Sequence, residues 1–152
     1  MVGNMNSRIN GPWSLSQVEE YLSETVTPMR ISVGGADYPL LCSVWFHYDA
    51  ADGLIRCISH ERSELIKSLV KHPRCSFDMS PNQPPYKGVR GRGSVVLKTG
   101  GATELLKRLM NRHLGGTDSA LSQWLLGRAD EETTIEIKPV SFSTWDYSAR
   151  MQ

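Results

Sequence analysis

The sequence predicts a mainly β, α+β protein in which short antiparallel strands form a closed or nearly closed barrel with flanking helices. Several short segments are rich in β-branched and aromatic residues, and turn residues join some of them directly. Strands connected by tight turns pair antiparallel, and many short strands with few helices are typical of barrels. A chain of 152 residues with 39% hydrophobic residues can bury one sizeable core, so we predict a single domain over residues 1–152.

The first third of the chain is expected to hold a helix and then three strands. Residues 1–12 are expected to be a flexible leader, and "SLSQVEEYLSE" has the cap residues and apolar spacing of a short helix over 14–24. Alternation and turn residues predict strands over 29–33, 39–48 and 54–59. The second of these is apolar at nearly every position, so both of its faces are expected to be covered.

A helix over 63–72, "SELIKSLVKH", follows and ends at Pro73, and "RCSFDM" over 74–79 is a further strand. The last third contains two helical patterns, over 103–114 and 119–128. They are followed by "TTIEIKPVSFSTWDY", which predicts two short strands bent at Pro139.

The stretch "PPYKGVRGRGSVVL", residues 84–97, allows three interpretations: a flexible basic loop, a phosphate-binding glycine loop, or a strand. Its glycines follow the pattern G-x-x-G-x-G and lead into a strand-like tail, which excludes the dinucleotide fingerprint and the P-loop. As a strand, it would carry Arg90 and Arg92 on one face and Val89, Gly91 and Gly93 on the other. Glycine inside a strand permits close approach of a backbone or ligand. The cations then either meet an anionic group or are solvated edge residues.

Charge and cysteine content limit the function classes. The net charge of +1 argues against a protein that coats nucleic acid or an acidic membrane, so nucleic-acid binding through "KGVRGRG" is the weakest hypothesis. No apolar run reaches membrane-spanning length, and the N-terminus lacks a signal pattern. Three cysteines without a C-x-x-C pair are expected to be core thiols of a cytoplasmic protein. The four histidines lack metal-ligand spacing, so no metal site is expected.

The segment "CISHERSELIK", residues 57–67, runs from a strand into a helix N-terminus. Such a terminus offers unpaired N–H groups and the positive end of the helix dipole, which suit a phosphate. Lys67 lies one turn after Ser63 and could reach back, and Arg62 could add a bidentate contact. A simple Ser63 cap beside a solvated cationic face is the equally weighted alternative.

Taken together, these segments resemble the pyridoxamine 5′-phosphate oxidase-like, FMN-binding split-barrel family. The resemblance lies in a Pro-led apolar strand ending in "VWF", an acidic-Gly hairpin, the strand-to-helix junction, "HPRCSF", the "VRGRG" strand and the C-terminal "IKPVSFSTWDYSARM". It covers roughly residues 27–98 and 133–151. The order and spacing of the pieces carry it, rather than any one of them.

The resemblance implies a homodimer of six-stranded antiparallel split barrels with flanking helices and two FMN sites at the subunit interface. It implies contacts to the ring and ribityl chain, to the phosphate, and from the partner subunit. The contacts to the ring and ribityl chain would come from Ser43, Val44 and Trp45. Those to the phosphate would come from Ser59, His60, Arg62 and Ser63, with Lys67 nearby. The partner subunit would contribute Tyr86, Lys87 and Arg90, and Trp145 would close the site.

Three departures from the family pattern shape the functional hypothesis. Leu65 stands where the family often has a phosphate-binding lysine, Leu41 stands where true pyridoxamine phosphate oxidases carry an arginine, and the chain stops at "YSARMQ" without their basic tail. We therefore predict an FMN-dependent oxidoreductase acting on some other small-molecule substrate, with no residue nominated as catalytic. The alternative is a non-catalytic protein of the same fold that binds flavin, a deazaflavin or haem.

Overall fold

The computed structural model describes residues 7–35 and 37–152. Four α-helices flank one sheet. The strands are β1 Arg8–Asn10, β2 Met29–Val33, β3 Leu40–Val44, β4 His47–Asp49, β5 Leu54–His60, β6 Arg74–Met79, β7 Lys87–Thr99 and β8 Glu132–Asp146. The helices are α1 Leu15–Glu24, α2 Glu64–Lys71, α3 Thr103–Leu114 and α4 Ala120–Gly127.

The sheet is an open, split barrel rather than a closed one. Its hydrogen-bonded order is β3-β2-β6-β7-β8-β5-β4, and β1 pairs in parallel with β8 while all other pairs are antiparallel. The predicted mainly β, α+β split-barrel class is confirmed. The sheet has eight strands instead of six, because the predicted strand 39–48 forms β3 and β4 and Arg8–Asn10 adds one more.

Two predictions at the sheet margins are wrong. Residues Arg8–Asn10, placed in the flexible leader, pair with Ser141–Ser143 of β8, and residues 1–6 lie outside the described part of the chain. The faces of β3 are not both covered within one chain. Leu41 is 68% exposed, because β3 is an edge strand and its outward residues meet no other element.

The C-terminal strand β8 is continuous, although two strands bent at Pro139 were predicted. The register with β7 shifts there, since Gly93 lies opposite Pro139 whereas Arg92 lies opposite Ser141. The extra residue, Val140, forms a bulge that accommodates a proline without breaking the strand.

The glycines of β7 permit close packing, as the strand interpretation predicts. A Cβ on Gly91 would lie 2.4 Å from the Ser141 carbonyl oxygen and 2.6 Å from Phe77 Cζ. A Cβ on Gly93 would lie 2.6 Å from a methyl carbon of Ile137. Gly91 and Gly93 therefore face the interior of the barrel, and Arg90 and Arg92 are exposed on the opposite face.

The main core lies between the inner face of the sheet and helices α1 and α2. Serine caps fix the starts of both helices: Ser14 forms a capping box with Gln17, and the Ser63 hydroxyl accepts from the Ile66 N–H. Cys57 and Cys75 are buried in this core, as predicted, and burial raises the pKa of the Cys75 thiol to about 12. Cys42 is half-buried on the edge strand.

A second, smaller cluster holds the helical hairpin formed by α3 and α4 against the sheet. Its buried members are Leu106, Met110 and Ala129, and they pack against Trp45 and Ile58. The hairpin therefore covers the residue that follows β3 and part of β5.

Candidate functional site

A cavity of about 530 Å³ lies between the sheet, the N-terminus of α2 and the α3–α4 hairpin. We call it the strand–helix cavity. Residues of β3 and β5 form one side, and residues of the two hairpin helices form another. It is lined by Pro28, Ser43, Val44, Trp45, Ile58, Ser59, His60, Ser63, Leu106, Leu109, Leu121, Leu125, Arg128 and Glu132.

Half of the residues predicted to contact a cofactor line this one cavity. They come from two segments that are well separated in sequence, the end of β3 with the residue that follows it and the β5–α2 junction. These residues are Ser43, Val44, Trp45, Ser59, His60 and Ser63. The fold thus brings the predicted ring-binding and phosphate-binding segments to one shared space.

The junction between β5 and α2 forms the polar end of the cavity. Ser59 Oγ donates to Ser63 Oγ at 2.7 Å, and Ser63 Oγ accepts from the Ile66 N–H at 3.1 Å. The Ser63 hydroxyl hydrogen remains available to a ligand, as does the positive end of the α2 dipole. This end can therefore donate hydrogen bonds to an anionic oxygen.

Charged groups at the polar end are arranged in pairs. Arg128 Nε donates to Glu132 Oε1 at 2.9 Å, and the Glu132 side chain is 4% exposed. His60 Nε2 lies 3.5 Å from Glu131 Oε2, and its Nδ1 accepts from the Arg62 N–H at 3.1 Å. A single chain thus offers little net positive charge around the cavity.

Two predicted phosphate ligands do not line the cavity. Arg62 is exposed at the surface, where its side chain makes no hydrogen bond or ion pair with the described residues. Lys67 does not reach back to Ser63, because its Nζ lies 3.2 Å from Glu64 Oε1 in an exposed pair one turn along the helix. Exposed pairs of this kind contribute little free energy, so Lys67 can exchange partners readily.

The residues predicted to come from a partner subunit lie elsewhere in the chain. Arg90 stands over the Trp145 ring, 5.7 Å from its centroid, and Trp145 pairs with Gly88 across the β7–β8 ladder. Tyr86 is 46% exposed, and Lys87 begins β7. These four residues do not line the strand–helix cavity of their own chain.

Arg90 instead lines a broad depression of about 890 Å³ on the outer face of the sheet, which we call the outer-face depression. Arg8, Arg30 and Arg92 share this surface, and Asp78 is the carboxylate among them. Arg30 is held by hydrogen bonds to the carbonyl oxygen of Ser80 and to the side chain of Asn82. The unbalanced positive charge of this part of the chain therefore lies on the outer face of the sheet and not in the strand–helix cavity.

The hairpin supplies residues that sequence reasoning did not assign to the site. His113 stacks on Trp45 with ring centroids 5.6 Å apart, and Leu106, Leu109, Leu121 and Leu125 face the cavity. Burial lowers the pKa of His113, the backbone oxygens of Phe46 and Val26 oppose this, and the nearby Arg112 cation adds to the lowering. The available signal was the pattern "ALSQWLLG", which has apolar residues around more than one side of a short helix.

The strand–helix cavity has features that suit the flavin mononucleotide implied by the resemblance. Its apolar lining suits a ring system, and the Ser63 hydroxyl, oriented by Ser59, and the start of α2 suit phosphate oxygens. A cation can come from the unpaired Arg62 or the loosely paired Lys67, both close to this helix terminus. The residues therefore fit the group, and the carboxylates of Glu131 and Glu132 are the unfavourable element.

Two further features of the described residues concern metal binding and membrane insertion. Among residues 7–35 and 37–152, no cluster of three or more His, Cys, Asp or Glu side chains could hold a metal ion. The described helices are too short or too polar to cross a membrane.

Comparison with solved structures identifies the fold. No family model matches the chain, and no curated protein matches it in sequence. A conserved hypothetical protein from Mycobacterium tuberculosis, Rv2991, superposes with a TM-score of 0.74 at 18% identity, over 96% of this chain and 92% of that one. An F420 reductase superposes with a TM-score of 0.67 at 18% identity, over 82% of this chain and 94% of that one.

A third similar structure is a provisionally assigned pyridoxamine 5′-phosphate oxidase from Listeria innocua. It has a TM-score of 0.62 at 10% identity and covers 88% of this chain and 97% of its own. Identities this low establish the fold alone. The split sheet, its flanking helices and these neighbours together show that the chain has the pyridoxamine 5′-phosphate oxidase-like split-barrel fold.

Proposed function

We propose that the protein is an FMN-dependent oxidoreductase that acts on a small molecule and holds its cofactor in the strand–helix cavity. One observation carries the proposal. Six residues singled out from two distant sequence segments, among them Trp45, Ser59 and Ser63, line the same cavity. A solved neighbour whose name states that it is a reductase of F420 supports a redox cofactor of the flavin class.

The chain's own residues would bind and orient the cofactor. FMN, when bound, would supply the hydride chemistry. Ser63 and the first N–H groups of α2 would hold the phosphate, with Ser59 orienting the Ser63 hydroxyl through its hydrogen bond, and Arg62 would move in to balance the phosphate charge. Val44 and Trp45 would form the apolar contact for the ring.

We also propose a cytoplasmic homodimer in which one subunit completes the cavity of the other. The exposed edge strand β3, with Leu41 68% exposed, and the cationic outer-face depression are surfaces that a second copy could cover. Tyr86, Lys87, Arg90 and Trp145 of one subunit would then reach the cofactor of the other. Sedimentation would test this, and a stable monomer with full FMN affinity would refute it.

A cation near the flavin ring would stabilise its reduced, anionic form. We assign this role to Arg90 or Lys87, because within its own chain each lies away from the cavity and remains available to a neighbour. Replacing each with alanine should lower the flavin reduction potential. An unchanged potential in both variants would remove the assignment.

The alternative is a non-catalytic carrier of FMN, a deazaflavin or haem. Leu65 favours it, because this side chain is 3% exposed in the core and leaves no lysine at the position where the family often binds phosphate. The carboxylates of Glu131 and Glu132 lie close to His60 and would also disfavour a phosphate there. A carrier would bind its ligand without passing electrons to or from a substrate.

The decisive experiment is the absorption spectrum of the purified protein, followed by titration with FMN and reduction by a nicotinamide cofactor. We expect a flavin spectrum, one site per subunit and bleaching on reduction. A bound flavin that no donor reduces would favour the carrier. No bound flavin after titration would refute both flavin proposals.

A further inference from the structure

The α3–α4 hairpin gives the strand–helix cavity an apolar wall. Leu106 and Leu109 project from α3, and Leu121 and Leu125 project from α4. Trp45 and Ile58 lie on the sheet side and pack against the same hairpin. A ligand between these surfaces would contact hydrocarbon on both sides.

The charge of the cavity is balanced without a ligand. Arg128 and Glu132 are the arginine and the carboxylate that line it, and the two are bonded to each other at 2.9 Å. Neither is left to neutralise an ionic ligand. Moving an ion against the leucine wall would cost its hydration without a compensating partner.

The mouth of the cavity leaves apolar surface exposed to water. Leu121 is 48% exposed although it lines the cavity, and the neighbouring Trp124 is 59% exposed under the Arg128 guanidinium. An apolar molecule entering the cavity would remove part of this surface from water, which is favourable. The volume of about 530 Å³ is in the range of small-molecule sites.

We propose that the hairpin is a substrate-binding wall and that the substrate is an uncharged, mainly apolar small molecule. This inference rests on the proposed function, in which substrate and cofactor share the cavity. It separates two tasks within that space: the start of α2 receives the anionic group of the cofactor, and the leucine wall receives the substrate.

Binding of a neutral fluorescent probe, N-phenyl-1-naphthylamine, tests the wall. Two variants form a matched pair on the hairpin: Leu121→Gln, inside the cavity, and Leu114→Gln, at a leucine that is 40% exposed and outside it. We expect Leu121→Gln to lower the affinity for the probe about tenfold. Leu114→Gln should leave that affinity within about twofold of the wild-type value. Leu121→Ala, which adds no polar group, should give an intermediate loss.

Competition identifies the charge of the ligand. Decanol should displace the probe at a concentration at least about tenfold lower than decanoate or decylammonium. The two ions would have to give up the hydration of their charged groups to enter the cavity, and decanol would not. Equal displacement by decanol and decanoate would overturn the proposal. Equal probe affinity in wild type and Leu121→Gln would overturn it as well.

Parallel titration of the wild-type protein with FMN separates this inference from the proposed function. If the probe binds with the expected pattern and FMN does not bind, the proposed flavin function fails and the apolar wall stands. If FMN binds and the probe does not, the wall proposal fails and the flavin function stands.

Discussion

The indole of Trp45 stacks on the imidazole of His113, with ring planes 8° apart. His113 Nδ1 lies 3.1 Å from the Val26 carbonyl oxygen, and its Nε2 lies 3.4 Å from the Phe46 N–H nitrogen. A neutral ring with its proton on Nδ1 donates to the Val26 carbonyl oxygen and accepts from the Phe46 N–H. The Phe46 carbonyl oxygen also lies 3.3 Å from Nε2, and only a ring that carries a proton on Nε2 can donate to it. One side chain thus joins α3 to the loop before β2 and to the turn between β3 and β4.

This histidine should make stability depend on pH. Its pKa is lowered in the folded state by burial and by Arg112, so the unfolded chain binds the proton more tightly. The contribution of His113 is fully present above the unfolded pKa of about 6.5 and is lost as the pH falls below that value towards the folded pKa. We expect the free energy of unfolding to decrease with acidification in this range.

Urea unfolding at a series of pH values checks this expectation. His113→Gln should flatten the profile below about pH 6.5, whereas the matched change at the exposed His72 should leave the wild-type slope. Burial also lowers the pKa of His47, which will retain part of the dependence. Identical profiles for wild type and His113→Gln would contradict the assignment.

A side chain at Gly91 should destabilise the barrel. The added carbon of Gly91→Ala would lie 2.4 Å from the Ser141 carbonyl oxygen, and a backbone atom in a central ladder cannot move away cheaply. We expect a loss of about 1–3 kcal/mol in the free energy of unfolding, typical of overpacking. Gly34→Ala is the control, since nothing lies within 4 Å of a carbon added there, and it should change stability by less than about 0.5 kcal/mol.

The faces of β7 could be predicted from the sequence because alternation is a local property of a strand. The same reasoning failed over 39–48, where apolar residues occur at nearly every position. Periodicity does not reveal that the chain turns at Trp45 and Phe46, or that Leu41 points away from the core of its own subunit. An apolar pattern does not say which element, if any, covers a residue.

The polar half of the cavity was predictable and the apolar half was not. Ser59 and Ser63 sit at a strand-to-helix junction, which a sequence pattern can locate directly. Leu109 and Leu121 reach the cavity only through the docking of the hairpin on Trp45 and Ile58. That docking is a tertiary contact between segments more than forty residues apart, and no local pattern specifies it.

Arg112 should be a strong determinant of stability. Its guanidinium donates to the carbonyl oxygens of Leu22, Ser23 and Thr25, which are the unpaired acceptors at the C-terminal end of α1. It also lies over the Phe46 ring, 4.9 Å from the centroid. Arg112→Met keeps most of the side-chain volume but leaves these acceptors without a donor.

We expect Arg112→Met to reduce the free energy of unfolding by about 2–3 kcal/mol, measured by urea denaturation. Arg108→Met is the matched control, because Arg108 is exposed on the same helix and makes no hydrogen bond or ion pair with the described residues. It should be neutral within about 0.5 kcal/mol. Equal losses in the two variants would show that the capping contacts contribute nothing specific.

Two serine caps allow the phosphate end of the cavity to be tested without confusing binding with stability. Ser63 accepts from Ile66 N–H at the start of α2, and Ser119 accepts from Ser122 N–H at the start of α4, both at 3.1 Å. Changing either serine to alanine removes one helix cap, so each variant should lose about 1 kcal/mol of stability. Only Ser63 lines the strand–helix cavity.

We therefore expect Ser63→Ala to lower the affinity for FMN about tenfold and Ser119→Ala to leave it unchanged. Titration followed by flavin fluorescence measures both affinities. Riboflavin, which lacks the phosphate, should bind the wild type and Ser63→Ala equally. A parallel loss of riboflavin affinity would mean that Ser63 contacts the ring or ribityl chain rather than the phosphate. Unchanged FMN affinity in Ser63→Ala would mean that the Ser63 hydroxyl does not contact the phosphate.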